Sequence, residues 1–323
     1  MAQPNHDPTA GDVLGVYLTS QATAFLRALR LHDAGAAGTS DSVESSEAAR
    51  GLRGAARRIS GSLATFRGVT ESSWADGLRT ELVWLSTTLA DEHAYAARLT
   101  RLMDALHRLS GSSSADVPGP RAGAGALTVG SARAGALLER QLTLARTRAH
   151  SATLQALGSA RFHAVADAVA VLASEVPLNL VAARGRVSEV LAPLAEVAEN
   201  RLATAVAALP PVDHSHPYDC DHDGLWHEVR RLLRTHRYAR EALGGDVARL
   251  AAAGEALDRH RDAAEAAAAS ATAARTPRIA PATAYALGVL HADQRHEVEA
   301  ARAAFQGIWL PQPLPEPVAI TPR

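Results

Sequence analysis

Two arginine-rich segments of the chain have the residue types and the spacing to bind an anion. One runs from Arg50 to Arg67 and the other from His227 to Tyr238. Each guanidinium group carries a permanent positive charge and can donate two parallel hydrogen bonds to a phosphate or carboxylate group. The chemistry that these segments predict is therefore binding of a polyanion, and we expect no enzymatic activity.

The basic residues of both segments fall on one face of an α-helix. In the second segment, positions 0, +3, +7 and +10 are basic, and they share an arc of roughly 80° on a stripe about 15 Å long. A constant offset along the chain aligns Arg53 with Arg230 and Arg57 with Arg234. Because the second segment keeps more basic residues on the arc, we expect it to contribute more to binding. The predicted anion-binding residues are Arg50, Arg53, Arg57, Arg58, His227, Arg230, Arg231, Arg234 and Arg237.

The two segments contain few acidic residues. None lies between Arg50 and Arg67, and only Glu228 lies between Trp226 and Arg240. Cations crowded on one helix face repel one another, so an anion must complete the stripe. That anion is either a bound ligand or the carboxylates of neighbouring helices, in which case the stripe is an ordinary solvated face. The sequence leaves both interpretations open.

The composition favours helices as the elements that position these residues. Ala, Leu and Arg dominate and aromatic residues make up 4%, which is typical of helices because strands prefer β-branched and aromatic residues. An apolar stripe at helical spacing opens the chain. Its members are Leu14, Leu18, Ala22, Phe25 and Leu29. The sequence therefore predicts an all-α fold.

The chain divides into two helical halves on the basis of its length and its linker composition. A length of 323 residues fits either two units of about 150 residues each or one domain built from two halves. A Ser/Gly/Pro-rich segment predicts a flexible linker inside the first half. The predicted organisation is a disordered lead at 1–11, a first bundle at 12–158 with the linker at 110–131, a second bundle at 159–309, and a Pro-rich tail at 310–323.

Charge, cysteine content and hydropathy restrict the class of protein. The formal net charge is −1 although all 33 basic residues are arginine, so the molecule as a whole exerts no strong field. A single cysteine, Cys220, excludes an internal disulfide. The N-terminal residues lack the pattern of a signal peptide, and no run of about 18 apolar residues is present. We therefore expect a cytoplasmic protein without membrane contact.

A loop rich in His and Asp precedes the second arginine segment and is a candidate metal site. It runs from Asp213 to Asp223 and contains ligand types that transition metals prefer. Its spacing does not match the established zinc motifs, so a flexible polar loop whose Asp223 caps the next helix is the other interpretation. The candidate ligands are His214, His216, Asp219 and His222.

The second segment resembles the CHAD domain, the conserved histidine α-helical domain. The resemblance lies in His-x-x-Arg at His227, a following basic pair, an Arg-Tyr pair and a leucine-rich helix beyond. The segments 74–85 and 284–290 are similar to other helices of that family. The similarity extends over about residues 9–309. It departs from the family pattern at Arg50, where the family has histidine.

The resemblance implies two pseudo-symmetric four-helix bundles around a basic cavity. It also implies binding of inorganic polyphosphate, association with polyphosphate granules and no cofactor. Two alternatives stay open, namely a structural or protein-interaction domain with a degenerate anion site, and metal binding by the loop 213–223. Nucleic acid is not the expected partner, because the segments offer no aromatic platform for stacking bases.

Overall fold

The computed structural model describes residues 8–36, 42–111, 124–210 and 220–310. Within these ranges the chain forms ten helices and no strand, apart from two isolated β-bridges. The predicted all-α fold is confirmed. In chain order the helices are α1 (Ala10–Ala36), α2 (Ser42–Thr65), α3 (Ser72–Gly111), α4 (Ala124–Leu157), α5 (Ala160–Ser174), α6 (Leu180–Ala183), α7 (Val187–Ala207), α8 (Asp223–Ala242), α9 (Ala248–Ala274) and α10 (Pro281–Trp309).

Helix α1 begins at Ala10 because Thr9 and Asp12 form a capping box. The backbone N–H of Asp12 donates to Thr9 Oγ1 at 3.2 Å, and the backbone N–H of Thr9 donates to Asp12 Oδ2 at 3.0 Å. Ala10 is fully buried, and its N–H donates to the carbonyl of Gly185 at 2.8 Å. The disordered N-terminal segment predicted over residues 1–11 therefore extends too far, because residues 10 and 11 already belong to α1.

The segment predicted as a linker is partly helical. Helix α3 continues to Gly111, and α4 already begins at Ala124, inside the predicted linker 110–131. Gly130 explains the difference, because it is buried and a Cβ added there would overlap the carbonyl oxygen of Ala282. The glycine lets α4 approach α10 closely. From composition alone, the same glycine indicates a flexible linker. Parts of the predicted lead, linker and tail lie outside the described residues, at 1–7, 112–123 and 311–323.

Three main clusters of buried apolar side chains hold the helices together. The largest joins α1, α2, the first part of α3 and α5 with residues of α7 and α8. A second joins the end of α3 and α4 with α9 and α10, and a third lies among α7, α8, α9 and α10. Two of the three clusters therefore combine helices from both sides of the predicted division at residue 158. Helix α5, assigned by that division to the second half, packs into the first cluster through Phe162, Val165, Val169 and Leu172.

The two helices that carry the arginine segments, α2 and α8, pack against each other. At their contact, a Cβ added to Gly61 would lie 2.7 Å from Cδ2 of Tyr238, so only glycine allows this approach. Helix α8 also packs against α9, where a Cβ added to Gly254 would lie 3.4 Å from Leu233 Cδ2. The contacts of α2, α8 and α9 bring basic residues from three helices into one region.

Within the described ranges, no single helix is both long enough and apolar enough to span a membrane. In these ranges, one pair of consecutive helical segments, Val129–Leu157 and Ala160–Ser174, meets the length and hydropathy criteria when the two are taken together. The axes of the two segments differ by 61°. Both parts contribute side chains to the buried clusters, for example Leu138 and Val165.

The close contact of α4 with α10 predicts opposite effects at two helical glycines. Gly130→Ala should lower the free energy of unfolding by about 1–3 kcal/mol, because the new methyl group overpacks against α10. Gly288→Ala, with nothing within 4 Å of the added Cβ, should raise it by about 0.5–1 kcal/mol. Urea denaturation followed by circular dichroism measures both. Equal stabilisation by the two substitutions would show that α4 and α10 do not touch at Gly130.

Candidate functional site

Arginines from both predicted segments lie within electrostatic reach of one another. Burial lowers the pKa of Arg53, and the charges of Arg57, Arg261 and Arg230 lower it further, to about 10. The pKa of Arg234 is likewise lowered to about 10, first by burial and then by Arg230 and Arg57. The side chains of α2, α8 and α9 thus share one region of high positive potential. We call Arg53, Arg57, Arg230, Arg234 and Arg261 the arginine cluster.

Three members of the arginine cluster have no carboxylate partner among the described residues. In the part of the chain that the structure describes, no Asp or Glu forms an ion pair with Arg53, Arg57 or Arg234. The Nε atoms of Arg53 and Arg57 are also buried without a hydrogen-bond acceptor. A buried donor without an acceptor is unfavourable, so these groups are suited to receive anionic oxygens.

The other two members are paired with carboxylates at the edge of the cluster. Arg230, of which 8% is exposed, donates through Nε to Asp258. Arg261 donates to the adjacent Asp262 and lies 3.9 Å from Glu265. These carboxylates come from α9, so the cluster is partly neutralised on the α9 side and left uncompensated towards α2.

Three predicted site residues instead form ion pairs with glutamates. Arg231 is exposed and donates through Nε to Glu228 at 2.7 Å. The Nε of Arg58 donates to Glu241 Oε2 at 2.9 Å. Arg237 Nε lies 3.3 Å from Oε1 of the same residue, within ion-pair distance but without the geometry of a hydrogen bond. Their charges are already compensated within the chain, which makes them weaker candidates than the sequence suggested.

The remaining two predicted site residues, Arg50 and His227, lie at the margins. Arg50 is exposed and lies 3.9 Å from Glu47. The imidazole of His227 contacts that of His260, with ring centroids 5.5 Å apart. Burial and then the neighbouring His260 lower the pKa of His227, so this side chain is neutral at pH 7.

Two cavities adjoin the arginine cluster, and both are lined by Arg53 and His93. The first, of about 270 Å³, lies between α2, α3 and α9 and continues the cluster through Arg98 and Arg101. The second, of about 330 Å³, lies between α1, α2, α3 and α4. Burial lowers the pKa of His93, as do the charges of Arg53 and Arg50. We call the second cavity the side chamber; it is lined by His32, Arg50, Arg53, Glu92, His93, Arg146 and His150 together with apolar side chains.

A buried ionic network fixes the start of α8. Asp223 accepts hydrogen bonds from Arg295 at 2.7 Å and from Arg302 at 2.6 Å, both on α10. His260 of α9 lies 3.6 Å from the same carboxylate. Burial alone would raise the pKa of Asp223, but contacts with His260 and Arg295 lower it to about 2. The interpretation of Asp223 as a helix cap is therefore wrong, since the N-cap position is His222 and the Asp223 carboxylate serves this network.

The structure offers no metal site among the residues it describes. In those ranges, no group of three or more His, Cys, Asp or Glu side chains could hold a metal ion. The candidate ligand His222 is described as the N-cap of α8. The other candidates, His214, His216 and Asp219, lie outside the described residues.

A comparison of the sequence with protein-family models matches the CHAD domain over residues 20–269. The chain belongs to the CHAD domain family. This match covers well over half of the chain and includes both arginine helices. The resemblance seen in the sequence is thereby confirmed.

Solved structures give the same assignment for the fold. The chain is similar to PptA from Streptomyces chartreusis, with 61% identity and a TM-score of 0.78, over 94% of this chain and 99% of that one. It is also similar to the CHAD domain from the plant Ricinus communis, with 20% identity and a TM-score of 0.58, over 94% of each chain. The plant structure supports the fold alone. A search of curated proteins found no match.

Sequence reasoning missed several basic residues that this CHAD domain places at the site. Arg261 belongs to the arginine cluster, and Arg98 and Arg101 line the adjoining cavity. The helical spacing of Arg98 and Arg101 is a signal, but a weak one, because a pair of exposed arginines is common on any helix. Arg261 directly precedes Asp262 and so has the pattern of an ordinary solvated face.

The buried network predicts a pH-dependent contribution from Asp223 to stability. Because the folded pKa is depressed from its ordinary value to about 2, the contribution of about 2 kcal/mol is present above pH ~4 and is lost as the pH falls through about 2. Asp223→Asn should lower the free energy of unfolding at pH 7 by about 3 kcal/mol, since it removes the carboxylate that Arg295 and Arg302 share.

Asp76→Asn is the matched control, because Asp76 also pairs with an arginine but lies on the surface. Urea denaturation at neutral and acidic pH compares the two variants. A loss of stability that is equal in both, or that persists unchanged at pH 2, would contradict the role of the network.

Proposed function

We propose that this CHAD domain binds inorganic polyphosphate through the arginine cluster and catalyses no reaction with it. The observation that carries the proposal is the crowding of Arg53, Arg57 and Arg234 without carboxylate partners in the described structure. Burial and then mutual repulsion lower the pKa of Arg53 and Arg234, and a bound polyanion would offset the repulsion. The family resemblance implies the same ligand.

Polyphosphate fits the charge distribution better than a compact anion does. The cluster draws its guanidinium groups from three helices. Arg98 and Arg101 line the adjoining cavity, where they pair with Glu265 and Glu297, and a polyanion would compete with these carboxylates for them. A polymer that repeats its negative charge can contact all of these groups at once, whereas a single phosphate reaches only a few. Partial burial of the cluster also reduces screening by salt relative to surface arginines.

The site has little that would recognise nucleobases. Within the two predicted segments, Phe66 is fully buried, and Tyr238 is 4% exposed and lies beneath Arg58 and Arg237. A covered ring cannot stack on a base, and stacking supplies much of the affinity for single strands. We therefore expect polyphosphate to compete effectively against DNA of similar length.

The proposal extends to location. A protein that binds polyphosphate in this way would accumulate where the polymer does, namely at polyphosphate granules in the cytoplasm. Fluorescence microscopy of the tagged protein, together with a polyphosphate stain, tests this extension. The tagged protein should coincide with the stained granules.

Replacement of two unpaired arginines should weaken polyphosphate binding. We expect the double variant Arg57→Gln, Arg234→Gln to lower the affinity by at least about tenfold at low salt, because each guanidinium makes charge-assisted hydrogen bonds to phosphate. The slope of log affinity against log salt should become shallower, by about one for each phosphate group that the variant no longer binds. Calorimetric titration with long-chain polyphosphate at two salt concentrations measures both effects.

The control is the double variant Arg67→Gln, Arg240→Gln, which removes the same charge from exposed positions. Its affinity at physiological ionic strength should stay within about twofold of the parent, because both arginines are exposed and lie outside the cluster, so their charges are screened by salt. If both double variants lose affinity equally, binding is nonspecific attraction to the whole molecule. If the parent does not bind polyphosphate at low salt, the proposed function is wrong.

The structure also changes which of the two arginine segments we expect to contribute more to polyphosphate affinity. Arg230 is already bound to Asp258, whereas Arg53 and Arg57 have unsatisfied Nε atoms. The variant Arg53→Gln, Arg57→Gln should therefore lose at least as much polyphosphate affinity as Arg230→Gln, Arg234→Gln. Titration of the two double variants under identical conditions decides between this ranking and the one that residue counting predicts. A larger loss from the second variant would show that the ion pair with Asp258 opens on binding.

A further inference from the structure

The side chamber differs in chemistry from the arginine cluster that it adjoins. Its volume of about 330 Å³ is sufficient for a small organic molecule. Leu89 and Leu154 form apolar parts of its wall, together with Ala49 and Ala96. Inorganic polyphosphate has no apolar part that could use such a wall, so the polymer alone does not account for this cavity.

Polar groups with unused hydrogen-bonding capacity lie around the apolar wall. The Nε of Arg53 and the Nδ1 of His32 are buried without hydrogen-bond partners. Arg146 of α4 is exposed at the chamber, and no carboxylate among the described residues forms an ion pair with it. Two cationic groups from different helices, α2 and α4, can thus approach one anionic group from two sides.

The carboxylate of the side chamber is already engaged. Glu92 lies on α3, and its Oε2 is 3.0 Å from Nδ1 of His150 on α4. Because Glu92 is the acidic residue of the lining and pairs with His150, it does not compensate the charges of Arg53 and Arg146. The chamber therefore combines an apolar wall with a net positive pole.

We propose that the side chamber binds a small organic phosphate monoester. Its phosphate group lies between Arg53 and Arg146, and its apolar body lies against Leu89 and Leu154. A phosphate dianion suits two guanidinium groups better than a single carboxylate does, because it offers more acceptor oxygens and more charge. The inference goes beyond polyphosphate binding. Arg53 belongs to both sites, but Arg146 and the leucines do not belong to the arginine cluster, so the two kinds of binding can be tested separately.

The shared residue Arg53 couples the two sites. It lines the side chamber and also the cavity that continues the arginine cluster. One guanidinium group cannot give its full set of donors to two anions, and two anions at Arg53 would repel each other. The small phosphate and a polyphosphate chain therefore lower each other's affinity, by the same factor in both directions.

The test uses 1-naphthyl phosphate as the probe, with the full chain and fluorescence anisotropy as the readout. We expect saturable binding of this probe. Binding of 1-naphthol, which lacks the phosphate group, and of inorganic phosphate, which lacks the apolar ring, should be much weaker. Arg146→Gln should weaken probe binding by about tenfold, and Leu154→Asn should weaken it as well. Arg148→Gln is the matched control, because Arg148 is an exposed arginine on the same helix that does not line the chamber. Its affinity should equal that of the parent.

Three results would overturn the inference. They are an absence of probe binding, an affinity for inorganic phosphate equal to that for the probe, and equal losses in the Arg146 and Arg148 variants. Melting curves of all variants verify that each is folded, and both arginines are exposed, so their replacement should not disturb the core. Binding of the probe by a chain that fails to bind polyphosphate would refute the proposed function and leave this inference standing. Binding of polyphosphate without the probe would do the reverse.

Discussion

Mutual repulsion among the guanidinium groups of Arg53, Arg57 and Arg234 is the constraint that governs the site. These groups are partly removed from water and held near one another, which lowers the pKa of two of them to about 10. Like charges in such surroundings cost free energy. The apolar clusters of α1, α2, α3, α7 and α8 must offset this cost, because they fix the backbone positions of the helices that carry the charges. The resulting strain is electrostatic, and a bound polyanion would relieve it.

Carboxylates within the fold limit how far the repulsion extends. Asp258 and Asp262 neutralise the cluster along α9, and Glu241 neutralises Arg58 and Arg237 at the far end. Within the arginine cluster, and among the described residues, Arg53, Arg57 and Arg234 keep uncompensated charge. This arrangement explains how a chain with a formal net charge of −1 can present a local cationic site. A local site favours selective capture of a flexible polyanion over general attraction to every acidic surface.

The Asp223 network has a mechanical role in the same arrangement. It ties the first turn of α8 to α10 through two buried arginines, and to α9 through His260. Helix α8 is also held at its other end, where Ala239 and Ala242 join the largest apolar cluster. Anchoring at both ends keeps Arg230 and Arg234 in register with the arginines of α2. A rigid site loses less conformational entropy on binding a polymer than a mobile one would.

Several properties of this protein follow from local rules and are readable in the linear sequence. Composition and periodicity specify helices, and the spacing of three and four residues puts Arg230 and Arg234 on one face whatever surrounds them. The family, too, is recognisable from local patterns around His227. Which arginines keep their charge uncompensated depends instead on tertiary packing. Arg230 meets an aspartate on α9, and Arg58 meets a glutamate 183 residues away along the chain. Such pairings, like the approach of α4 to α10 that makes a glycine-rich segment helical, depend on how the helices pack. No local pattern encodes them, because the partners are neighbours only after the chain has folded.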